Sequence, residues 1–271
     1  MNRKLRFLII GAHPDDPDLC AGGTAAMLVR RGHEVRFLSV TNGNAGHYAM
    51  GGKELADRRR AEAERSGAVL GCHYEVLDHD DGRLMPDLET REDLMRAIRR
   101  FNPDVIITNR PNDYHADHRA TAQLVQDCSY LLQVPNICPD TPAMKDPPAI
   151  LFWWDEFQKP QPFSPDIIVP VDGCADTLIQ MTKCHESQFY EWLLWVNDPA
   201  WVDWTREQKD ARIERRVPEG LARCRRQYEA RVRTLFPAQA QDIHHIEAFE
   251  KSEYGTPITQ EIIAEMERFV D

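Results

Sequence analysis

Apolar runs of strand length alternate with helix-like stretches through the first half of the chain, and this alternation limits the folds open to it. Residues 5–10, 34–41, 73–77 and 104–108 are short runs of Leu, Ile, Val and Phe, the composition of buried strands. Residues 24–31, 54–70, 90–101 and 119–132 follow them in turn and read as helices, the second with Arg59, Glu62 and Arg65 spaced for pairing on its surface and the last with Leu124, Val125, Cys128, Leu131 and Leu132 on one stripe. Such an order requires right-handed crossovers between parallel strands. It predicts an α/β fold with a Rossmann-like, doubly wound, mainly parallel sheet and helices on both faces. Residues 150–154 and 166–171 read as further strands and 175–195 as one long helix. A charged helix over 207–236, broken near Val217-Pro218, and a last helix over about 257–269 complete the chain. One domain over 1–271 is expected, with a C-terminal helical extension from about 197.

The turns behind the first and fourth strands carry the chemistry. The first reads Gly11-Ala12-His13-Pro14-Asp15-Asp16-Pro17-Asp18, followed by Gly22-Gly23-Thr24. In open α/β sheets ligands bind at the carboxyl ends of strands. His13 and Asp16, three apart on a tight turn, can point into one cavity and ligate a metal. A hydrolytic zinc site uses about three protein ligands and keeps one position open for water. Asp15 lies between the two ligands and faces that water as a general base. The bland alternative is a helix cap with an incidental histidine. The second turn, Asp113-Tyr114-His115-Ala116-Asp117-His118, falls on the same sheet edge. One of its histidines can complete the metal shell and the other can stabilise an oxyanion, with Asp117 as an orienting carboxylate. Taken alone it is equally a solvated helix N-terminus.

Together these motifs resemble the PIG-L/LmbE-like family of zinc-dependent deacetylases. Arg59-x-x-Glu62 ahead of Leu70-Gly71, Asp81-Gly82 and His185-x-Ser187-Gln188 extend the resemblance to about residue 190. The resemblance implies a Rossmann-like fold and removal of an acetyl group from an N-acetylglucosaminyl compound, a small N-acetylated sugar or sugar conjugate. It implies one Zn2+ per chain held by His13, Asp16 and His118, with Asp15 as general base. It makes His115, protonated, the oxyanion stabiliser and general acid, with Asp117 behind it. Arg59 and Asp81 would bind the sugar. His185 and Gln188 join them as substrate-binding candidates, with hydrogen bonding between elements as the alternative reading. Two departures, Pro17 where many members have Glu and Ala116 where Pro is commoner, bear on the substrate more than on the chemistry.

Two rival functions are open to the same residues. A two-metal phosphohydrolase would want more carboxylates and a basic phosphate site. A nucleotide-binding module would want G-x-G-x-x-G where His-Pro-Asp-Asp stands. The formal net charge of −11 argues against nucleic acid or an anionic membrane as partner. No apolar stretch reaches the roughly 20 residues of a membrane span. The seven cysteines are scattered without a C-x-x-C pair, so a reduced, cytoplasmic setting is expected. Trp192, Trp195, Trp201 and Trp204 crowd one segment, either a sugar-stacking lid or a core or subunit-interface patch, and lead us to expect self-association. Asn44 and His47 sit in a loop at the site's edge of the sheet, and His244-His245 is expected at the surface.

Overall fold

The computed structural model describes residues 3–269. Its first half runs β1 (Arg6–Gly11), α1 (Asp16–Arg30), β2 (Glu34–Thr41), α2 (Gly52–Leu70), β3 (His73–His79), α3 (Leu88–Phe101), β4 (Val105–Thr108) and α4 (Ala116–Leu131). β5 (Ala149–Trp153) and β6 (Ile167–Pro170) follow, then α5 (Ala175–Cys184), a π-helical turn (Ser187–Trp192), α6 (Leu193–Asn197) and a 3₁₀ turn (Pro199–Asp203). α7 (Arg206–Gln227), α8 (Glu229–Leu235), β7 (Ile246–Gly255) and α9 (Gln260–Met266) close the described chain.

The strands form one sheet in the order β3-β2-β1-β4-β5-β7-β6. β1 to β5 are parallel, and β7 is antiparallel to both β5 and β6. Alternate β1 side chains face opposite layers, as the strand's two-residue period demands. Phe7 and Ile9 pack with Ala25 and Leu28 of α1, Ala63 of α2 and Leu178 of α5. Leu8 and Ile10 pack with Leu94 and Ile98 of α3 and Leu124 of α4. Helices therefore cover both faces, as the alternation predicts. The strand order reverses at β1, between β2 and β4, and the loops behind β1 and β4 flank the crevice that such a reversal opens.

Four expectations change. The helix read over 175–195 is interrupted at His185, where the backbone leaves helical geometry (φ −83°, ψ 64°) before a wider π turn begins. α7 runs through Pro218 and ends at Gln227, because buried Ile213, Leu221 and Cys224 anchor it on both sides of the missing N–H. The stretch after 197 is more than a helical extension, since β7 threads into the sheet between β5 and β6. Finally, Arg59 and Glu62 do not pair on the surface of α2. They lie with Leu55, Ala63 and Ser66 on its buried face.

Candidate metal-dependent active site

The turn behind β1 folds back on itself. A Cβ at Gly11 would lie 2.5 Å from the Asp16 Cβ and 2.6 Å from Pro17 Cδ, so only glycine permits the reversal. The backbone N–H groups of Asp15 and Asp16 both donate to the His13 carbonyl, at 2.8 and 3.2 Å. Asp16 Oδ2 accepts from the Ala12 and His13 N–H groups, each at 2.9 Å. The second turn is pinned by Asp113, whose Oδ1 accepts from His115 N–H at 2.8 Å. His115 then caps α4, its Nδ1 accepting from Asp117 N–H at 3.2 Å.

These two turns bring three donor atoms together. His13 Nδ1 lies 3.3 Å from His118 Nε2 and 3.5 Å from Asp16 Oδ2, and the last two are 3.4 Å apart. A tetrahedral ion with bonds of about 2.0–2.1 Å has ligand-to-ligand edges of about 3.4 Å. The donor set, two imidazoles and a carboxylate, is one that zinc takes. The far nitrogen of each histidine faces a carboxylate. His118 Nδ1 is 3.0 Å from Asp113 Oδ1, and His13 Nε2 is 3.1 Å from Asp81 Oδ1 and 3.4 Å from Asp117 Oδ2. This is the bracing that orients metal-bound histidines. His13, Asp16 and His118 thus fit a single divalent ion.

His13 also groups with Asp81 and Asp117, its donor atom and theirs lying within 4.8 Å of one another. We do not assign an ion there. Asp117 already accepts from Gly82 N–H at 2.6 Å and Leu84 N–H at 3.3 Å. Asp81 lies 3.6 Å from the Arg59 guanidinium. Both carboxylates face His13 Nε2, the ring nitrogen turned away from Asp16 and His118.

The electrostatics follow from this crowding. Burial opposes a charge on His13, but Asp117, Asp16 and Asp81 outweigh it and hold its pKa well above the ordinary value. Burial likewise opposes a charge on Asp16, yet His118 and His13 keep its carboxyl below the usual range. His118 is raised against burial by Asp16 and Asp113. His115 goes the other way, lowered by burial and by the neighbouring His13 and His118. Its Nδ1 accepts a backbone N–H, which an imidazolium cannot do. That contact suits a neutral ring with its proton on Nε2, whereas the sequence leads us to expect a protonated one.

Arg59 is 2% exposed, and its Nη2 donates to Asp15 Oδ1 at 2.9 Å. It braces the carboxylates rather than presenting itself to a sugar. Two glycines make room for it: a Cβ at Gly43 would lie 2.6 Å from Nη1, and one at Gly46 3.1 Å from both Nη1 and Asp81 Oδ2. His185 is also withdrawn from substrate. It is 1% exposed, with Nε2 3.1 Å from Asp18 Oδ1, and Ser66 Oγ donates to the same oxygen. Gln188 holds the loop behind β2, donating to the Gly46 carbonyl at 3.0 Å. For His185 and Gln188 the hydrogen-bonding alternative is the one the geometry follows. Glu62 accepts from Ser187 N–H and Oγ, at 2.9 and 2.6 Å.

Two residues of consequence lacked a role in the sequence. Asp113 stands inside the second motif, and an Asp two residues before a helix cap is an Asx-turn signal. Glu247 is buried on β7 and accepts from Gly23 and Thr24 N–H at 2.8 and 2.7 Å, capping α1 where it kinks at Ala21. No local pattern announces a partner so distant in sequence.

Residues 8–129 match the family model described as PIG-L, GlcNAc-PI de-N-acetylase. The diacetylchitobiose deacetylase of Thermococcus kodakarensis is 30% identical over 206 residues, which cover 72% of this chain and 74% of that protein. The chain belongs to the PIG-L family of deacetylases. Among solved structures, the N,N'-diacetylchitobiose deacetylase of Pyrococcus horikoshii is similar to this PIG-L chain with a TM-score of 0.68 and 24% identity, covering 91% of this chain and 83% of that one. The 4-carboxy-2-hydroxymuconate hydratase GalB of Pseudomonas putida shares the fold with a TM-score of 0.71 and 19% identity, covering 95% and 99%. Among the described residues no helix is long and apolar enough to cross a membrane.

Proposed function

We propose that this PIG-L enzyme hydrolyses the acetamide of an N-acetylated amino sugar or sugar conjugate at a single zinc site. The observation that carries this reading is the His13–Asp16–His118 donor triangle, with Asp15 beside it and outside it. The deacetylase relatives supply the substrate class, and the hydratase shows that the fold alone does not choose the reaction. When bound, a zinc ion would lower the pKa of water and polarise the amide carbonyl.

The protein's own residues do the rest. Asp15 is buried and tethered through Oδ1 to Arg59, which leaves Oδ2 to take the proton of the attacking water. His115, neutral with its proton on Nε2, donates a hydrogen bond to the carbonyl oxygen as negative charge gathers there. The proton held by Asp15 then passes to the departing amine as the C–N bond breaks, leaving acetate and a free amino sugar. Asp113, Asp81 and Asp117 hold the ring planes of His118 and His13.

Acetate release from a series of N-acetylated glucosaminides, with and without a chelator, tests the reaction. Asp15→Asn should retain one metal per chain and lose about 10²–10⁴ in kcat. Full turnover by that variant, or water addition to an unsaturated acid without any acetate release, would overturn the assignment.

A further inference from the structure

Four aromatic rings line up at the rim of the site. His47 stacks on Tyr48 with centroids 4.5 Å apart, Tyr48 on Trp195 at 5.4 Å, and Trp195 on Trp192 at 5.6 Å, with interplanar angles of 22°, 15° and 18°. The column joins the loop behind β2 to the π turn and α6. It is rigidly held. His47 Nδ1 accepts from Ala49 and Met50 N–H, at 3.1 Å each, and its Nε2 lies 2.8 Å from Glu191 Oε2. Arg58 grips both oxygens of Glu191, at 2.8 and 2.5 Å.

Centroids more than 5 Å apart in nearly parallel rings mean that Tyr48 and Trp195 are slipped sideways, in the offset arrangement aromatic pairs favour. Part of each face stays uncovered, and each residue is 39% exposed. The column begins one residue after Gly46, which packs against Arg59 and Asp81 at the site. Arg58, the cation tied to the column through Glu191, is committed to Glu62 and Glu191. Trp201 and Trp204 belong elsewhere, stacked on each other at 4.9 Å with Arg212 over Trp201.

We infer that the Tyr48–Trp195 surface is a subsite for a second, uncharged pyranose ring attached to the N-acetylated sugar. The flat C–H face of a pyranose matches a slipped aromatic face, and Arg58, already paired with two carboxylates, offers no free charge to a phosphate or carboxylate at that position. This inference rests on the proposed deacetylase reading and names the substrate beyond its reacting unit: a neutral N-acetylated disaccharide or longer glycan in preference to an anionic conjugate.

Two measurements test it. In the first, cellobiose, a neutral β-1,4-linked disaccharide with no acetyl group to lose, is titrated while tryptophan fluorescence is followed. Saturable quenching is expected, with affinity about three- to tenfold weaker in Tyr48→Ala and binding of monomeric glucose unchanged. In the second, Trp195→Ala should raise KM for an N-acetylated disaccharide by a similar factor, with kcat and the KM for N-acetylglucosamine preserved. Equal losses on monosaccharide and disaccharide, or no loss on either, would overturn the subsite. A change of oligomeric state in Trp195→Ala on size exclusion would also overturn it, by making the surface an interface between copies. Tyr48-dependent quenching without acetate release from any sugar would uphold the subsite and sink the deacetylase reading instead.

Discussion

Arg59→Ala separates a positioning cation from a sugar-binding one. The guanidinium lies 2.9 Å from Asp15 and 3.6 Å from Asp81, and all three side chains are buried. At an effective dielectric of about 20, the two attractions amount to about 6 and about 5 kcal/mol before desolvation. Burying the guanidinium costs several kcal/mol, which offsets much of that gain. The truncation does not return to the starting balance, because it leaves two carboxylates in a dry site with their cation gone. Breaking a buried pair in this way costs about 3–5 kcal/mol, or a fall of about 10 °C in Tm for a chain of this length. The assay is urea unfolding of metal-free protein, so that altered metal affinity does not enter. Lys53→Ala, which removes an exposed pair with Asp57, serves as the reference and should cost under about 0.5 kcal/mol. Asp15→Asn and Asp81→Asn added to Arg59→Ala should recover most of the loss, since they remove the stranded charges. A loss in Arg59→Ala no larger than the reference, together with a raised KM alone, would refute the bracing role and restore Arg59 to the sugar.

Glu247 gives a pH signature far from the metal ligands. Burial pushes its carboxyl from 4.5 up to about 7, against the pull of the Thr24 and Gly23 N–H groups. Between those values the folded protein holds a proton that the unfolded chain releases. Stability should therefore fall by about 3 kcal/mol as pH rises through this window and level off above about pH 7. Urea midpoints across that range should show the slope, Glu247→Gln should flatten it, and an unchanged slope in the variant would refute the assignment. At Gly46 a Cβ would press on Arg59 and Asp81 at 3.1 Å. Gly46→Ala should lower kcat/KM by about tenfold with little change in Tm, and unchanged kinetics would show that the loop yields freely.

The alternating sheet was legible because every strand from β1 to β4 carries its own apolar run and its own following helix. The two turns were legible because His13 with Asp16, and His115 with His118, sit three residues apart within single segments. The long-range partners of those ligands were not. Whether Arg59 faces solvent, sugar or Asp15 depends on how α2 rolls against the sheet, and α2 gives a misleading cue with charges on every side. His185 reads as a candidate ligand-binding histidine, and only packing shows it enclosed with Asp18. β7 escaped notice because just its first four residues are buried, leaving a half-polar segment without a strand-length apolar run. The contact between the Asp117 N–H and His115 Nδ1 was hidden too, since it depends on how α4 begins.

The position of β7 bears on how the enzyme is made. The N–H groups of Gly23 and Thr24 wait for a carboxylate more than two hundred residues further along the chain, and β5 and β6 have no shared neighbour until residues 246–255 arrive between them. During synthesis the turns behind β1 and β4 leave the ribosome before β7, so the helix that begins at Asp16 gains this cap only after more than two hundred further residues are made. A chain interrupted before β7 would expose two open strand edges, the kind of surface that recruits other chains.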